Sequence, residues 1–294
     1  YEYDGATWAE ITPYVPTVVI NRHPDPTDNP GDVIEAYNML GTGFQNNFDG
    51  DGTSVAFTLT DKDLQEKTPT VTIDNEEWTY DPELSVAKTF KIDYSTGVVT
   101  LQSAAPEGDN NVEIIAYHKK DDEWTAWNNR VLASKYYATF GGNNNSRLFL
   151  AGNGESLALY SDVYDATYIP YRNYFKVGNG AEDITGFGQQ YNVLIVFKPN
   201  ELFSLQYYIN TENTTTSDAQ VGLGAFSSMS VNNAIGCDCP DTIQLINSQL
   251  TWLNSKYGVC TLISTNIQDE RNVRLLSRNI DHNTFSDIQG LLDW

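Results

Sequence analysis

Cysteine is scarce in this sequence: Cys237, Cys239 and Cys260 are the only three in 294 residues. An odd number of cysteines argues against a secreted fold held by disulfide bonds and favours a reducing origin. Long apolar runs are also missing, because no stretch approaches the ~18 apolar residues of a membrane-spanning helix, so no membrane association is predicted. The opening residues, YEYDGATW, show no signal-peptide pattern and no initiator methionine, which predicts a fragment or a processed product.

Basic residues are few, with 17 Lys and Arg against 39 Asp and Glu, and the formal net charge is −22. A surface of this charge repels phosphate groups and gains no affinity by displacing counterions from nucleic acid. Specific DNA binding is therefore not expected. An acidic wall beside a channel through which DNA slides is compatible with the same charge, because such a wall does not hold the phosphates.

The motifs of common enzyme classes are missing. The sequence has three histidines, no G-x-S-x-G or H-E-x-x-H motif, no Walker loop, and no G-x-G-x-x-G between a strand and a helix. Carboxylate pairs are common among 39 acidic residues and are interpreted as solvated turns. The three cysteines have no fourth ligand nearby and are interpreted as core or loop thiols. We therefore predict no catalytic residue, no cofactor and no cofactor-binding residue.

The residues that are abundant favour β-structure. Hydrophobic residues make up 40% of the chain and aromatic residues 12%, together with 21 Gly and 11 Pro. Val, Ile, Thr and aromatic side chains suit short strands, and Gly, Pro, Asn and Asp suit the tight turns between them. The predicted fold class is all-β, and the length suits two domains.

Residues 43–119 have the pattern of an immunoglobulin-like β-sandwich inserted into the rest of the chain. Short strand-like segments alternate here with turn sequences such as DGDGTS, YSTG and PEGDNN. About six strands in a segment of this length are typical of such a sandwich. The predicted strands cover 55–60, 70–74, 77–81, 88–93, 97–102 and 111–118.

The rest of the chain has longer apolar hairpins, at 146–161, 190–208 and 242–264. Their nearly continuous apolarity indicates strands covered on both faces. Because the hairpins begin about 45 to 50 residues apart, they are interpreted as β-propeller blades, with residues 1–42 as the N-terminal part and 120–294 as further blades. A solenoid or a large double sandwich remains an alternative. One short helix is predicted within 30–44, where apolar residues have helical spacing.

Two groups of residues are candidates for a binding site. Asn47, Asp49 and Asp51, followed by Gly52, match the first half of a calcium-binding loop, but Thr58 stands where a bidentate Glu is required. A plain hairpin turn is the favoured interpretation, and no metal is predicted. The aromatic residues near Pro170 form either an exposed binding rim or packing beneath a loop; they are Tyr168, Tyr171, Tyr174 and Phe175.

Two stretches carry a resemblance to bacteriophage proteins. FDGDGTSVAFTL, followed by YSTGVVTLQSAAPEGDNNVEIIAYH, resembles a sandwich module of phage structural proteins. The segment from RLFLAGNGESLALYS to QQYNVLIVFKPNELFSLQ is similar to the propeller-like region of phage and prophage head-to-tail stabilisation and tail nozzle proteins, and IGCDCPDTIQLINSQLTWLNSKYGVCTLI continues it.

This resemblance implies a β-propeller with an inserted sandwich, with no catalytic residues to carry over. It implies a structural virion protein, made in the host cytoplasm, that joins other copies and other tail proteins in a ring through which DNA passes without specific binding. The alternative is a carbohydrate-binding or hydrolytic propeller, such as an adhesin or depolymerase. A bacterial surface or scaffold propeller is the third interpretation.

Overall fold

The computed structural model describes residues 2–3, 5–142, 144–209, 224–265 and 272–277. Strands make up 45% of the chain and helices 6%, so the predicted all-β class is confirmed. The chain forms two compact units, which we call the first unit (Tyr1–Asn129 and Thr167–Asn173) and the second unit (Arg130–Ala166 and Tyr174–Trp294).

The first unit is dominated by a nine-stranded sheet. The described strands are, in chain order, β1 Glu2–Tyr3, β2 Trp8–Ala9, β3 Thr17–Arg22, β4 Asp32–Val33, β5 Gly43–Gly50, β6 Ala56–Thr58, β7 Thr70–Ile73, β8 Glu76–Tyr80, β9 Thr89–Asp93, β10 Val98–Leu101 and β11 Gly108–Tyr117. Strands β1 and β2 pair with each other, and the others form one sheet in the order β4-β3-β5-β11-β7-β8-β9-β10-β6. Neighbouring strands are antiparallel except in the pairs β3–β5 and β8–β9.

The nine-stranded sheet curls, so that strands distant in the sheet order meet across its core. Phe48 of β5 packs edge-on against Phe57 of β6, with ring centroids 5.4 Å apart. The buried Arg22 of β3 donates to the carbonyl oxygens of Thr58 (2.9 Å), Pro30 (2.7 Å) and Leu59 (3.2 Å). The curled sheet therefore encloses a single hydrophobic core.

All six strands predicted between residues 55 and 118 are present as β6 to β11, within a few residues of the predicted bounds. Strand β5 was not predicted, because its sequence GFQNNFDG is polar. Its buried Asn46 is satisfied by Thr60, whose backbone N–H donates to Asn46 Oδ1 at 2.8 Å. A polar residue can therefore occupy the core face of this strand.

The sheet also extends beyond the N-terminal boundary predicted at residue 43. Strands β3 and β4 lie within residues 1–42, which were assigned to the propeller-like region, yet β3 pairs in parallel with β5. The compact unit likewise continues past residue 119 to Asn129 and includes Thr167–Asn173. The extent of the sheet and of the first unit is determined by backbone hydrogen bonds between segments that are distant in sequence. Amino-acid composition does not indicate such bonds.

The helix predicted within 30–44 is wrong. Strand β4 lies there instead, and the Ile34 N–H bonds to the Val18 carbonyl oxygen at 3.0 Å rather than to its own segment. Gly31 has a positive φ of 81° and lies so close to β3 that a Cβ would stand 2.6 Å from the Ile20 carbonyl oxygen. Pairing with β3 therefore overrides the helical spacing of the apolar residues.

The described α-helix, α1, is Asp122–Leu132, whose residues up to Asn129 belong to the first unit. Asp121 caps it, because its Oδ1 accepts the Trp124 N–H at 2.8 Å. Acidic Asp122 and Glu123 in the first turn and Arg130 in the last turn suit the helix dipole.

The second unit contains three four-stranded antiparallel sheets, each a meander in chain order. Their strands are β12 Tyr136–Phe140, β13 Arg147–Ala151, β14 Leu157–Tyr160 and β15 Tyr174–Lys176 in the first sheet; β16 Gly186–Gln190, β17 Val193–Phe197, β18 Leu202–Ile209 and β19 Gly224–Asn232 in the second; and β20 Gln244–Ile246, β21 Gln249–Asn254, β22 Gly258–Leu262 and β23 Val273–Leu275 in the third. A short 3-10 helix, Pro240–Thr242, precedes β20.

The middle sheet shares one core with each neighbouring sheet. In the fully buried strand β17, Leu194 and Val196 pack with residues of the first sheet, whereas Val193, Ile195 and Phe197 pack with residues of the third. The prediction that the near-continuous apolar hairpins have both faces covered is confirmed for this strand. The Leu250 side chain of β21 packs closely on the β16 backbone, since a Cβ on Gly188 would stand 2.6 Å from it.

Candidate functional site

The first unit contains an aromatic cavity of about 300 Å³. Four loop and helix segments line it: residues 37–39 before β5, residues 118–121 after β11, the first turns of α1, and Tyr171. Among its lining side chains are Tyr37, His118, Glu123, Trp124, Trp127 and Tyr171. We call this feature the aromatic pocket.

Helix α1 brings two tryptophans to the aromatic pocket. Trp124 and Trp127 are three residues apart and therefore project from neighbouring positions on one face of the helix. The helix is fixed to the 37–39 segment because Asn128 Nδ2 donates to the Met39 carbonyl oxygen at 2.8 Å. The Asp121 cap and this bond fix the position of the helix, whose two indole rings line the cavity.

Tyr171 reaches the pocket through the segment Thr167–Asn173, which Asn38 anchors. The buried Asn38 side chain donates from Nδ2 to the Thr167 carbonyl oxygen at 2.7 Å and accepts the Ile169 N–H at 3.0 Å. The Tyr171 N–H in turn donates to the Tyr37 carbonyl oxygen at 3.0 Å. One buried carboxamide therefore joins two segments about 130 residues apart.

Tyr37, Asp61 and His118 form a cluster that supports one side of the pocket, joined by one hydrogen bond and one close contact between the imidazole and the carboxylate. The Tyr37 hydroxyl donates to Asp61 Oδ1 at 3.0 Å, and His118 Nδ1 lies 2.8 Å from Asp61 Oδ2. The Tyr37 and His118 rings pack edge-on with centroids 4.1 Å apart. Burial, with the nearby Asp61 carboxylate, raises the pKa of Tyr37, so the phenol stays neutral and acts as a donor.

The tryptophans present both ring surface and a polar atom. The Trp127 and Tyr171 rings meet at 71° with centroids 6.3 Å apart. Trp124 Nε1 is buried and has no hydrogen-bond partner within the described part of the chain. The ammonium of Lys120 lies 5.4 Å from the centroid of the Trp124 ring. A buried indole N–H usually has an acceptor, so the unpaired donor is a feature that a ligand can satisfy.

The calcium-site candidates are used for local hydrogen bonds. Asn47 and Asp49 lie in β5, where Asn47 Oδ1 accepts from Gln45 Nε2 at 2.8 Å and Asp49 Oδ1 accepts the Asn110 N–H at 2.7 Å. Asp51 follows the strand and accepts the backbone N–H groups of residues 53 and 54 and the Ser54 hydroxyl, and these bonds lower its pKa. In the described ranges, no group of three or more His, Cys, Asp or Glu side chains is placed to hold a metal ion.

The other sequence candidates are dispersed. Tyr168 is buried and donates to the Ala36 carbonyl oxygen at 2.7 Å, and Phe175 packs in a core of the second unit, so only Tyr171 of the aromatic candidates lines the pocket. Cys237 and Cys260 are buried in the second unit, where burial raises the pKa of each thiol to about 12.

The sequence interpretation missed Trp124 and Trp127. The local signal was present in DDEWTAW, residues 121–127. The first Asp is a typical N-cap residue, two acidic residues follow it in the first turn, and the two Trp residues have helical spacing. This local pattern does not indicate that Tyr37 and Tyr171 line the same pocket as the two tryptophans. Those positions depend on hydrogen bonds between distant segments.

No protein-family model matches the chain, and no curated protein matches it. Of the helices in the described ranges, none has the length and apolarity needed to span a bilayer.

Proposed function

We propose that the chain is a non-enzymatic structural protein of a phage tail or head-to-tail connection, which assembles with other copies into a ring around the DNA channel. The observation that carries this proposal is the succession of three four-stranded meander sheets in the second unit, in which the middle sheet shares a core with each neighbour. Repeated sheets of this kind bury their cores against one another and provide a rigid frame for an assembly.

The same observation supports a propeller-like arrangement of the second unit. Each sheet has four strands connected in chain order, and β16 packs against both β12 and the third sheet's β20 and β21. First strands that pack against one another are typical of blades arranged around an axis. The nine-stranded sheet of the first unit then corresponds to the phage-type sandwich module.

Exposed apolar side chains on edge strands support assembly. Strand β20 forms one edge of the third sheet, and its Leu245 and Ile246 side chains are 57% and 52% exposed. Strand β12 forms an edge of the first sheet, and its Tyr137 is 76% exposed. Apolar residues on an unpaired edge favour association with another chain, and a neighbouring copy in a ring would cover them.

The charge is consistent with a channel for DNA. With a net charge of −22, the protein does not hold phosphate groups electrostatically. We expect Asp and Glu to be denser on the lumen of an assembled ring than on its outer surface. A neutral or basic lumen would remove this part of the proposal.

Native mass spectrometry and negative-stain electron microscopy test the assembly. We expect rings for the wild-type chain and monomers for the double variant Leu245→Asp, Ile246→Asp, because two carboxylates would be buried unpaired at the interface. Val86→Asp is the matched control, since Val86 is 62% exposed but lies in a loop, not on an edge strand. Rings are expected to persist in this control.

Monomers of the wild-type chain at every concentration, or rings unchanged in the double variant, would contradict the proposed assembly. Immunogold labelling of phage particles tests the virion location separately. Label at the tail is expected, whereas label on bacterial surfaces alone would favour the bacterial surface protein.

A further inference from the structure

We propose that the aromatic pocket of the first unit binds a neutral sugar residue of a glycan. All of the lining residues of the pocket belong to the first unit, whereas the structural proposal depends on the three sheets of the second unit. Sugar binding is therefore independent of whether the chain forms rings.

The size and lining of the pocket suit one sugar ring. Its volume of about 300 Å³ lies at the lower end of the range of small-molecule sites, about 300–1,000 Å³. A pyranose ring has a face of C–H groups, which packs on aromatic rings, and a rim of hydroxyl groups, which requires hydrogen bonds. The Trp127 and Tyr171 rings, at 71° to each other, provide aromatic surface in two orientations.

The unpaired indole N–H of Trp124 indicates a ligand that accepts a hydrogen bond. A buried donor without a partner costs free energy, and a bound acceptor removes that cost. A sugar hydroxyl can accept this bond and donate its own hydrogen to a carboxylate. Glu123 lines the same pocket and provides such an acceptor.

Charges of both signs around the pocket favour a neutral ligand. Asp121 and Glu123 lie in the lining and repel an anion, in agreement with the net charge of the chain. Lys119 also lines the pocket, and the Lys120 ammonium already lies 5.4 Å from the Trp124 ring, so a cationic ligand meets two positive charges. A neutral molecule with many hydroxyl groups meets neither repulsion.

The pocket is rigidly held, which lowers the entropic cost of binding. The Tyr37 ring is fixed by its bond to Asp61, and Tyr171 is fixed through its backbone bond to Tyr37. The buried Asn38 joins both segments. The aromatic surfaces are therefore in place before a ligand arrives.

Saturation-transfer NMR and intrinsic tryptophan fluorescence, with glucose, galactose and N-acetylglucosamine as probes, test the proposal. We expect at least one of these sugars to bind the wild-type chain. Trp127→Ala is expected to weaken that binding about tenfold, because it removes an aromatic anchor. Trp8→Ala is the matched control, since Trp8 belongs to the same unit but is 71% exposed on β2. This variant should bind the sugar as tightly as the wild type does.

Trp124→Phe separates binding from folding. The substitution keeps an aromatic ring but removes the unpaired donor, so the melting temperature should stay unchanged or rise. The affinity for the sugar should fall about three- to tenfold, as expected for one lost hydrogen bond. A merely structural role for Trp124 would give the opposite pattern, with lowered stability and unchanged affinity.

Three results would overturn the proposal: none of the three sugars binds to the folded wild-type chain, both pocket variants bind as well as the wild type, or choline binds in preference to the sugars. Measuring sugar binding in the variant Leu245→Asp, Ile246→Asp keeps the two proposals distinguishable. Retained sugar binding by a monomer is expected, and loss of binding there with an intact first unit would count against an independent pocket.

Discussion

Replacing Lys198 with methionine is expected to stabilise the protein. Lys198 directly follows β17 and is fully buried, yet its Nζ has no hydrogen-bond acceptor in the described part of the chain. The buried charge is stabilised mainly by a cation–π contact with Phe203, whose ring centroid lies 5.6 Å from Nζ. Burial lowers the pKa of Lys198, and the carboxylates of Glu201, Glu182 and Asp183 oppose this shift only in part.

The size of the effect follows from these opposing contributions. An ammonium buried without an acceptor costs several kcal/mol, and the cation–π contact returns about 2 kcal/mol of this cost. Methionine fills similar space without a charge, so Lys198→Met should raise the free energy of unfolding by about 1–2 kcal/mol. Lys176→Met is the control, because Lys176 is exposed on β15, and a change within about 0.5 kcal/mol is expected there.

The pH dependence provides an independent check of the same reasoning. Because the folded pKa of Lys198 lies below its usual value of 10.5, the folded state releases its proton before the unfolded state does. The unfolded state then binds more protons, so wild-type stability rises with pH between the two pKa values. The advantage of Lys198→Met should therefore shrink as the pH rises from neutral towards 10.5.

Urea unfolding followed by tryptophan fluorescence and circular dichroism measures both effects. Lys198→Met should shift the midpoint to higher urea without changing the slope. A loss of stability greater than about 1 kcal/mol, or an advantage that does not depend on pH, would show that the ammonium is not an unfavourable buried charge.

Three further predictions follow from buried or capping residues. Cys237 and Cys260, with thiol pKa values of about 12, should resist iodoacetamide at pH ~8 until the protein is unfolded, as mass spectrometry can check; rapid native labelling of both would contradict their burial. Arg22→Met should lower the unfolding free energy by about 3 kcal/mol, because three carbonyl oxygens lose their donor; a thermal melt within error of the wild type would refute this. Asp121→Ala should cost about 1 kcal/mol by removing the α1 cap, and an unchanged urea midpoint would contradict the capping role.

Where the sequence predicted structure correctly, the information was local. The strands between residues 55 and 118 alternate apolar and polar side chains and are separated by residues that favour turns. Strand β17, VLIVF, is apolar at every position because each of its faces meets a different sheet. Such patterns follow from the two-residue period of a strand and need no knowledge of distant partners.

Competition between local and long-range interactions explains the errors. Residues 30–44 have helical spacing, but their backbone donors bond to β3 and to the 167–173 segment, as the bonds of Ile34 and Met39 show. Polar β5 became a central strand because Thr60 satisfies the buried Asn46. In each case the favoured state depends on partners that lie far away in the sequence.

By itself the sequence determined the all-β class, the six strands between residues 55 and 118, and the apolar hairpins of the second unit, because alternation and turn residues are properties of short segments. Only the tertiary structure decided the aromatic pocket and the curl of the nine-stranded sheet. Tyr37, Trp124 and Tyr171 line one pocket. Hydrogen bonds of Asn38, Asn128 and Asp121 hold their segments in place, and no sequence pattern within a single segment predicts those bonds. A site assembled from distant segments is specified by packing and hydrogen bonding that arise only when the chain has folded.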